Sequence, residues 1–395
     1  MPPLAMVDDI ASITKCSSTE SLETNIKTDT FIQRKKLEGQ TGAGKCQWIH
    51  AGTGKCRSEY HINGQKITKA DFYKYLGDYA ADSLDILYKK RCEKTQGYSA
   101  TCQAMSTEMS LGYQLYSIAK LLHTSIFVNG SLVNMETWPK CTTARIEDFE
   151  RIEQTFLRKI LNAHSKTPIE TLYLELGVIP LRFQIMKRRI LYLQDVLERE
   201  DGELTKQVLL VQKENGCNGD FYELVTNDLA ELSISFEEVE GSSKSKLKKM
   251  VKERAKEIAY NFLIDKAKNH SKVNDAIYTN CDGMKHYFDH RFSPDLANLL
   301  FKFRTRTYLV KNNFRNNYKN TNILCPLCEK FDDTQQHLLV CEKILQVTGQ
   351  PSCTIEDIYS EDLDCLYHVA CTLKKLDETR NLLLTEEETC EVMIV

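Results

Sequence analysis

Apolar positions divide the chain into a short N-terminal part with strand patterns and a long part with helical patterns. Before about residue 80 the apolar runs are short and glycines interrupt them, which is typical of strands joined by turns. The runs at residues 4–13, 48–50 and 60–62 predict a hairpin and two further strands. From about residue 85 apolar residues recur every three or four positions. The pattern therefore predicts a mainly α fold with a small N-terminal β part.

Three helices are predicted with particular clarity. The first lies between a cap at Thr143 and a stop at Pro168, and its apolar face is formed by Ile146, Phe149, Ile152, Phe156 and Ile160. The second begins at Pro180, with an apolar stripe from Met186 to Leu197 and the basic residues 187–189 on its other face. The third follows the break at residues 240–243.

The third helix has a strongly basic exposed side. Its cations are Lys244, Lys246, Lys248, Lys249, Lys252, Arg254 and Lys256. Such a run is typical of a solvated helix face, and contact with phosphates or a nuclear import signal are the alternatives.

The composition of the chain indicates which class of protein to expect. The 395 residues, 42% hydrophobic and 27% charged, predict two or three globular domains and exclude disorder throughout. No apolar stretch suits a membrane span, and the N-terminus does not resemble a signal peptide. The 15 cysteines are an odd number and mostly scattered, so a disulfide framework is not expected. We therefore expect a nuclear or cytoplasmic protein in a reducing compartment, without a membrane partner.

The strongest local signal is a cysteine and histidine cluster near the C-terminus. Its order is Cys325-x2-Cys328-x8-His337-x3-Cys341. Two cysteines separated by two residues direct both thiolates toward one centre, and His337 and Cys341 are predicted on one face of a short helix. The spacing predicts a structural zinc knuckle with no open ligand position, because all four ligands are used. A buried cysteine pair with an unrelated histidine is the alternative.

The segment just before the cluster suggests a partner. Residues 296–328 contain no Asp or Glu, while cations alternate with rings: Phe301, Lys302, Phe303, Arg304, Arg306, Tyr308, Lys311, Phe314, Arg315, Tyr318 and Lys319. Cations that contact phosphates and rings that stack on bases are the combination found on surfaces that bind single-stranded nucleic acid. The alternative is a helix with its aromatic residues in the core and a solvated basic face. The adjoining zinc cluster favours RNA or DNA as the partner.

Two N-terminal motifs also carry candidate chemistry. Asp8 and Asp9 form an acidic pair between apolar residues, where both carboxylates could reach a divalent cation at a hairpin apex or simply occupy a surface turn. The segment Gly39 to Cys46 nearly matches a phosphate-binding loop, but Cys46 replaces the Ser or Thr that would bind magnesium. A nucleotide triphosphatase is therefore not favoured.

The order of these features resembles the C-terminal part of a reverse transcriptase from a non-LTR (LINE-like) retrotransposon. Val7-Asp8-Asp9 is similar to motif C, the metal-binding motif of the polymerase, and Lys45 falls where the motif D lysine is expected, with Lys36 or Lys55 as alternatives. Tyr75-Leu76-Gly77 resembles motif E, the primer-gripping hairpin. The resemblance covers nearly the whole chain, and the Cys-Cys-His-Cys knuckle is its last feature.

The resemblance implies both a domain order and a chemistry. It implies a partial palm at 1–80, a helical thumb at 81–200, a helical linker at 201–320, the knuckle at 321–345 and a helical tail at 346–395. In the family, two magnesium ions held by carboxylates drive templated nucleotide addition, with the motif D lysine acting on the leaving group. Asp8 and Asp9 would be magnesium ligands here.

One departure from the family changes the expected activity. The chain begins almost at motif C, so the fingers and the motif A aspartate are missing, and two carboxylates fix too few ligands for catalysis. We therefore expect a reverse transcriptase remnant that binds nucleic acid and is inactive alone. The alternative is a non-enzymatic, zinc-dependent RNA- or DNA-binding protein derived from a retroelement.

Overall fold

The computed structural model describes residues 4–6, 9–11, 47–49, 60–62, 65–75, 78–109, 115–216, 218–270, 284–288, 290–318, 322–351 and 353–392. The chain divides into two compact units, Met1–Lys94 and Thr95–Val395. The predicted fold class, mainly helical with a small N-terminal β part, is confirmed. No described helix combines the length and the apolar character that crossing a membrane requires.

The N-terminal unit contains short strands in three small sheets. The strands are β1 (Leu4–Met6), β2 (Asp9–Ala11), β3 (Gln47–Trp48), β4 (Tyr60–Ile62), β5 (Gln65–Lys69), β6 (Phe72–Tyr75) and β7 (Asp78–Ala81). β1 and β2 are antiparallel, as are β6 and β7, while β5 pairs with β3 in parallel and with β4 in antiparallel. The predicted N-terminal hairpin and the strand at 60–62 are confirmed.

Helices make up the rest of the described chain. They are α1 (Leu84–Met109), α2 (Leu115–Leu122), α3 (Thr143–Ile160), α4 (Ile169–Leu176), α5 (Leu181–Leu197), α6 (Leu204–Asn215), α7 (Phe221–Glu231), α8 (Phe236–Gly241), α9 (Lys244–Ala267), α10 (Pro294–Arg304), α11 (Gln335–Leu338), α12 (Glu342–Thr348) and α13 (Leu363–Val392). Shorter helical turns lie at His123–Val128, Asn129–Ser131, Met135–Thr137, His286–Phe288, Lys311–Tyr318 and Glu356–Tyr359.

The three clearly predicted helices are α3, α5 and α9, and their ends follow local capping. Thr142 caps α3 by accepting a hydrogen bond from the N–H of Arg145, so the predicted cap at Thr143 is one residue too late. Pro180 precedes α5 as its cap residue. The Ser243 side chain accepts from the N–H of Lys246 at the start of α9. In each case a short polar side chain or a proline sets the start of the helix, and the apolar stripe sets its extent.

The helices α5 to α9 share one apolar core. Its members include Ile190, Leu193, Val196, Leu209, Val225, Leu229, Val239, Leu247 and Val251. Arg189, predicted on the polar face of α5, is buried in this region with a relative exposure of 3%. Its guanidinium pairs with Asp228 of α7 at 3.3 Å. A buried charge requires such a partner, and Asp228 lies too far along the sequence for the periodicity of α5 to reveal it.

Candidate metal centre

The first two cysteines of the group lie on a tight chain reversal. An antiparallel bridge joins Leu324 to Asp332, and the N–H of Cys325 donates to the carbonyl of Phe331 at 2.7 Å. Backbone hydrogen bonds therefore close the segment that carries Cys325 and Cys328. The conformation of this half of the site does not depend on side chains alone.

The other two ligands lie on consecutive short helices. His337 belongs to α11, which begins where the Thr334 hydroxyl accepts a hydrogen bond from the N–H of His337 at 2.9 Å. The N–H of Val340 donates to the carbonyl of His337 at 3.0 Å, and Cys341 then forms the cap residue of α12. The prediction that His337 and Cys341 share one helix face is therefore wrong. A turn between the two helices, rather than a helical repeat, brings them together.

The four ligand atoms converge at distances that suit a tetrahedral ion. Cys325 Sγ lies 3.9 Å from Cys341 Sγ, and Cys328 Sγ lies 3.2 Å from His337 Nε2. All four atoms lie within 4.8 Å of one another. Zinc–sulfur and zinc–nitrogen bonds of about 2.3 and 2.0 Å place neighbouring ligand atoms of a tetrahedron about 3.5–3.8 Å apart. The group can therefore hold a metal ion such as zinc, with all four positions supplied by the protein.

Burial governs the protonation of the group. All four side chains are buried. Burial raises the pKa of the Cys325 thiol and lowers the pKa of His337, which keeps the imidazole neutral and its lone pair available. For Cys328, burial is the largest influence and acts to raise the pKa. Hydrogen bonds from the backbone of residues 330 and 331 and from the neighbouring thiols outweigh it, so the pKa of Cys328 is lowered.

A buried ion pair ties the ligand segment to the C-terminal helix. Asp333 lies between the two cysteines and His337 in sequence, and both its carboxylate oxygens accept hydrogen bonds from the Arg380 guanidinium of α13, at 2.8 and 3.0 Å. The same carboxylate accepts from the N–H of Lys311 at 2.8 Å. Asp333 and Arg380 are 1% and 6% exposed. These contacts fix the segment between the ligands against two other parts of the chain.

Further hydrogen bonds join the ligand segment to α10 and to the turn that follows it. The Gln335 side chain donates to the carbonyl of Phe303 at 3.0 Å and accepts from the Asn313 side chain at 3.0 Å. Lys311 Nζ donates to the carbonyl of Leu324 at 2.9 Å. The Cys/His segment is therefore packed into the helical unit rather than attached to it by a tether.

Four of the five aromatic residues of the predicted nucleic-acid strip lie inside the protein. Phe301 and Phe303 have no exposed surface, and Tyr308 and Phe314 are 5% and 9% exposed. Phe303 stacks on Tyr308 with ring centroids 4.4 Å apart, and Phe288 lies against Phe301. The prediction that these rings stack on bases is wrong for this conformation. Burial of large rings stabilises the core, so the alternative of aromatics in the core describes the segment.

The cations of the same strip divide into buried and exposed groups. Arg304 is buried, where it donates to Glu175 at 3.1 Å and to the carbonyl of Ile358 at 2.7 Å, so it does not serve as a surface contact. Lys302 and Lys311 are partly buried, whereas Arg306 and Arg315 are exposed. Tyr318 ends the turn at Lys311–Tyr318, and Lys319 lies outside the described residues.

Sequence reasoning missed an exposed aromatic on the ligand segment itself. Phe331 is 62% exposed, and its ring centroid lies 5.6 Å from that of His337. Val340, next to Cys341, is 64% exposed. Both residues lie in short segments between metal ligands. Ligands can hold such segments without buried apolar side chains, so exposed apolar residues could have been expected there. An exposed ring therefore lies on the Cys/His segment, whereas Phe301, Phe303, Tyr308 and Phe314 are buried.

Two of the N-terminal candidate residues, Asp9 and Tyr75, lie at the ends of paired strands. Asp9 is the first residue of β2 and pairs with Met6, while Asp8 lies outside the described residues. Tyr75 is the last residue of β6 and pairs with Asp78. Lys45, Leu76 and Gly77 lie outside the described residues.

Comparison with protein-family models, with curated proteins and with solved structures finds no match to this chain.

Proposed function

We propose that the chain is the C-terminal part of a non-LTR retrotransposon reverse transcriptase, and that its Cys/His segment is a zinc-organised module that binds RNA or DNA. The observation that carries the proposal is the convergence of three buried thiols and one imidazole within 4.8 Å. This closed group follows, along the described chain, a long helical region and three N-terminal antiparallel strand pairs, which is the order that the sequence resemblance implies.

Zinc is the metal that this donor set favours. Three thiolates and one imidazole are soft and intermediate ligands in a tetrahedral arrangement, and a site with four protein ligands stabilises the fold rather than acting on a substrate. We expect the purified chain to hold one equivalent of zinc, measured by elemental analysis. Cys325→Ser should lose the metal, while Cys371→Ser, which changes an exposed cysteine outside the group, should keep it. Equal zinc content in both variants would contradict the assignment.

The surface around Phe331 supports a nucleic-acid partner. An exposed ring on a hydrogen-bonded turn provides a stacking platform, and the exposed Arg315 supplies charge from the turn whose residues 311 and 313 bond to the ligand segment. Stacking of one base on an aromatic side chain contributes about 1–3 kcal/mol. Phe331→Ala should therefore weaken binding of single-stranded RNA or DNA about fivefold or more, measured by fluorescence anisotropy. Phe331→Tyr should preserve binding, and Val347→Ala should serve as an exposed apolar control.

The polymerase part of the proposal rests on the N-terminal hairpins. β1 and β2 pair with Met6 opposite Asp9, and the resemblance to motif C would make Asp8 and Asp9 magnesium ligands. β6 and β7 pair on either side of Leu76 and Gly77, the positions that resemble the primer grip. Lys45 would act on the leaving group. These roles follow from the resemblance, and the strand pairing is compatible with them.

A primer-extension assay with magnesium tests whether the catalytic centre of this chain is complete. Two-metal catalysis needs a further fixed carboxylate, and the resemblance identifies none among the residues of this sequence. We expect no templated incorporation by this chain and zinc-dependent binding of nucleic acid, as in a reverse transcriptase remnant or a binding protein derived from one. Incorporation that Asp8→Asn abolishes would show instead that the catalytic centre is complete.

A further inference from the structure

Helix α9 carries a column of lysines along one side. Lys244, Lys248, Lys252 and Lys256 follow one another at intervals of four residues. Residues four apart on a helix lie on the same face, about 6 Å apart along the axis, so the column is about 18 Å long. Like charges at this spacing destabilise an isolated helix. The column therefore calls for a reason beyond helix formation.

The column faces a second group of cations on α5. Burial lowers the pKa of Lys187 on α5, and the charges of Arg188, Lys252 and Lys248 lower it further, so these four cations lie close together. Arg188 is held in place by hydrogen bonds to the carbonyl of Leu132 at 2.9 Å and to the Asn129 side chain at 2.7 Å. The apolar core shared by α5 and α9 fixes the two helices against each other.

The column also approaches α2 at its far end. Burial is the main cause of the lowered pKa of Lys120, and the charge of Lys256 adds to it. Lys120 Nζ donates to the carbonyl of Leu176 at 2.9 Å, which holds the ammonium in position. Lys187 and Arg188 on α5 lie near Lys248 and Lys252 on α9, because the two helices share one core. We call the set Lys187, Arg188, Lys248 and Lys252 the cationic strip.

The pairing of charges differs between the strip and the rest of α9. Lys244, at one end of the column, pairs with Asp195 of α5 at 2.7 Å and with Glu198, which follows α5, at 3.0 Å. On other sides of the helix, Lys249 lies 4.0 Å from Glu253 and Arg254 lies 3.4 Å from Glu238. Lys248 and Lys252 are exposed, and no carboxylate of the described residues pairs with either. The central part of the column is therefore the part whose charge is left uncompensated.

We propose that the cationic strip is a second docking surface of this chain, and that it takes the sugar-phosphate backbone of RNA or DNA without reading base sequence. One strand of a duplex carries a phosphate about every 3.4 Å, so Lys248 and Lys252, about 6 Å apart along the helix axis, match about two phosphates. Lysine ammonium groups are point charges suited to phosphate contact. The strip is separate from the Cys/His segment and goes beyond the function proposed for that segment.

The same residues argue against a membrane or a protein as the occupant. Helices that bind membrane surfaces need an exposed apolar face, and protein interfaces need buried apolar or aromatic anchors. Among the described residues of α5 and α9, no large hydrophobic side chain is exposed. A polyanion that makes only electrostatic contacts fits this surface best.

The test compares two double variants of the full chain with the same loss of charge. Lys248→Gln with Lys252→Gln removes the centre of the strip, whereas Lys246→Gln with Lys249→Gln removes two exposed lysines elsewhere on α9. Binding of short fluorescent single strands and duplexes is measured over a range of salt concentrations. The strip variant should bind at least fivefold more weakly, and its slope of log affinity against log salt should fall by about 1.4 for single strands and about 1.8 for duplexes.

The same binding assay provides the control and the outcomes that would contradict the proposed docking surface. The control variant should change neither affinity nor slope by a comparable amount, and melting temperatures should show that both variants fold. Equal losses in the two variants, or no loss in the strip variant, would overturn the proposal. Loss of binding to phosphatidylserine vesicles with polynucleotide binding intact would also overturn it. Repeating the comparison in Cys325→Ser keeps this result separate from the zinc module, because the strip should act without the metal.

Discussion

At the scale of single residues, the ion pair between Asp228 and Arg189 shows how burial changes the charge state of a side chain. Asp228 is 5% exposed, and burial raises its pKa to about 7, while the charge of Arg189 lowers it in part. The folded protein therefore binds a proton at pH values where the unfolded chain has released it. Such a group stabilises the fold at low pH and loses that contribution as the pH rises.

This linkage predicts a pH-dependent effect of Asp228→Asn. Between about pH 4 and 7 the free energy of unfolding of the native chain should fall relative to that of the variant, because folding must take up a proton that the unfolded chain has released, and the cost of that uptake grows with pH. The displacement from 3.8 to about 7 sets an upper bound of about 4 kcal/mol for the change. Urea unfolding at a series of pH values measures it. Asp148→Asn, at an exposed position, should give a flat difference curve, and a flat curve for Asp228→Asn would contradict the prediction.

At the scale of elements, α13 is joined to the ligand segment by the pair between Asp333 and Arg380. Both groups are buried and both carboxylate oxygens are used. Tyr308 makes a second contact with α13, because its hydroxyl donates a hydrogen bond to Asp377 at 2.6 Å. The ordering of the metal ligands and the docking of α13 should therefore depend on each other.

Removal of one member of the pair tests this dependence. Arg380→Met leaves Asp333 buried without its partner, which should cost about 3–5 kcal/mol of unfolding free energy and weaken zinc binding. Lys374→Gln breaks an exposed pair with Glu378 on the same helix and should cost at most about 1 kcal/mol. Denaturant unfolding and competition with a zinc chelator measure the two effects. Unchanged zinc affinity in Arg380→Met would show that α13 does not support the site.

The elements also show what local sequence patterns reveal. Helical periodicity predicted α3, α5 and α9, because each has one continuous apolar stripe. The spacing of Cys325, Cys328, His337 and Cys341 predicted that they come together, because short loops limit where the ligands can lie. Arg304 was predicted on a surface because its neighbours in sequence are basic. Its partner Glu175 is 129 positions away, and only the tertiary fold shows that both are buried.

At the scale of the whole described chain, apolar packing and metal ligation support different regions of the C-terminal unit. The helices α5 to α9 share a core built from aliphatic residues. The ligand segment is short. Its ion pair with α13 and its hydrogen bonds to α10 add to the contribution of the Cys/His group. A small segment of this kind depends on its metal for a large share of its folding free energy.

Metal removal should therefore increase local opening of the ligand segment and α13, and leave the core of α5 to α9 unchanged. After treatment with a chelator, hydrogen exchange measured by mass spectrometry should rise in residues 322–351 and in α13, whose docking depends on Asp333. Exchange in α5, α7 and α9 should stay within error, because their core contains none of the ligands. Cys371→Ser with zinc restored provides the control for treatment and reoxidation. A uniform rise across all helices would mean that the metal supports the whole unit, and no rise at 322–351 would mean that the group folds without it.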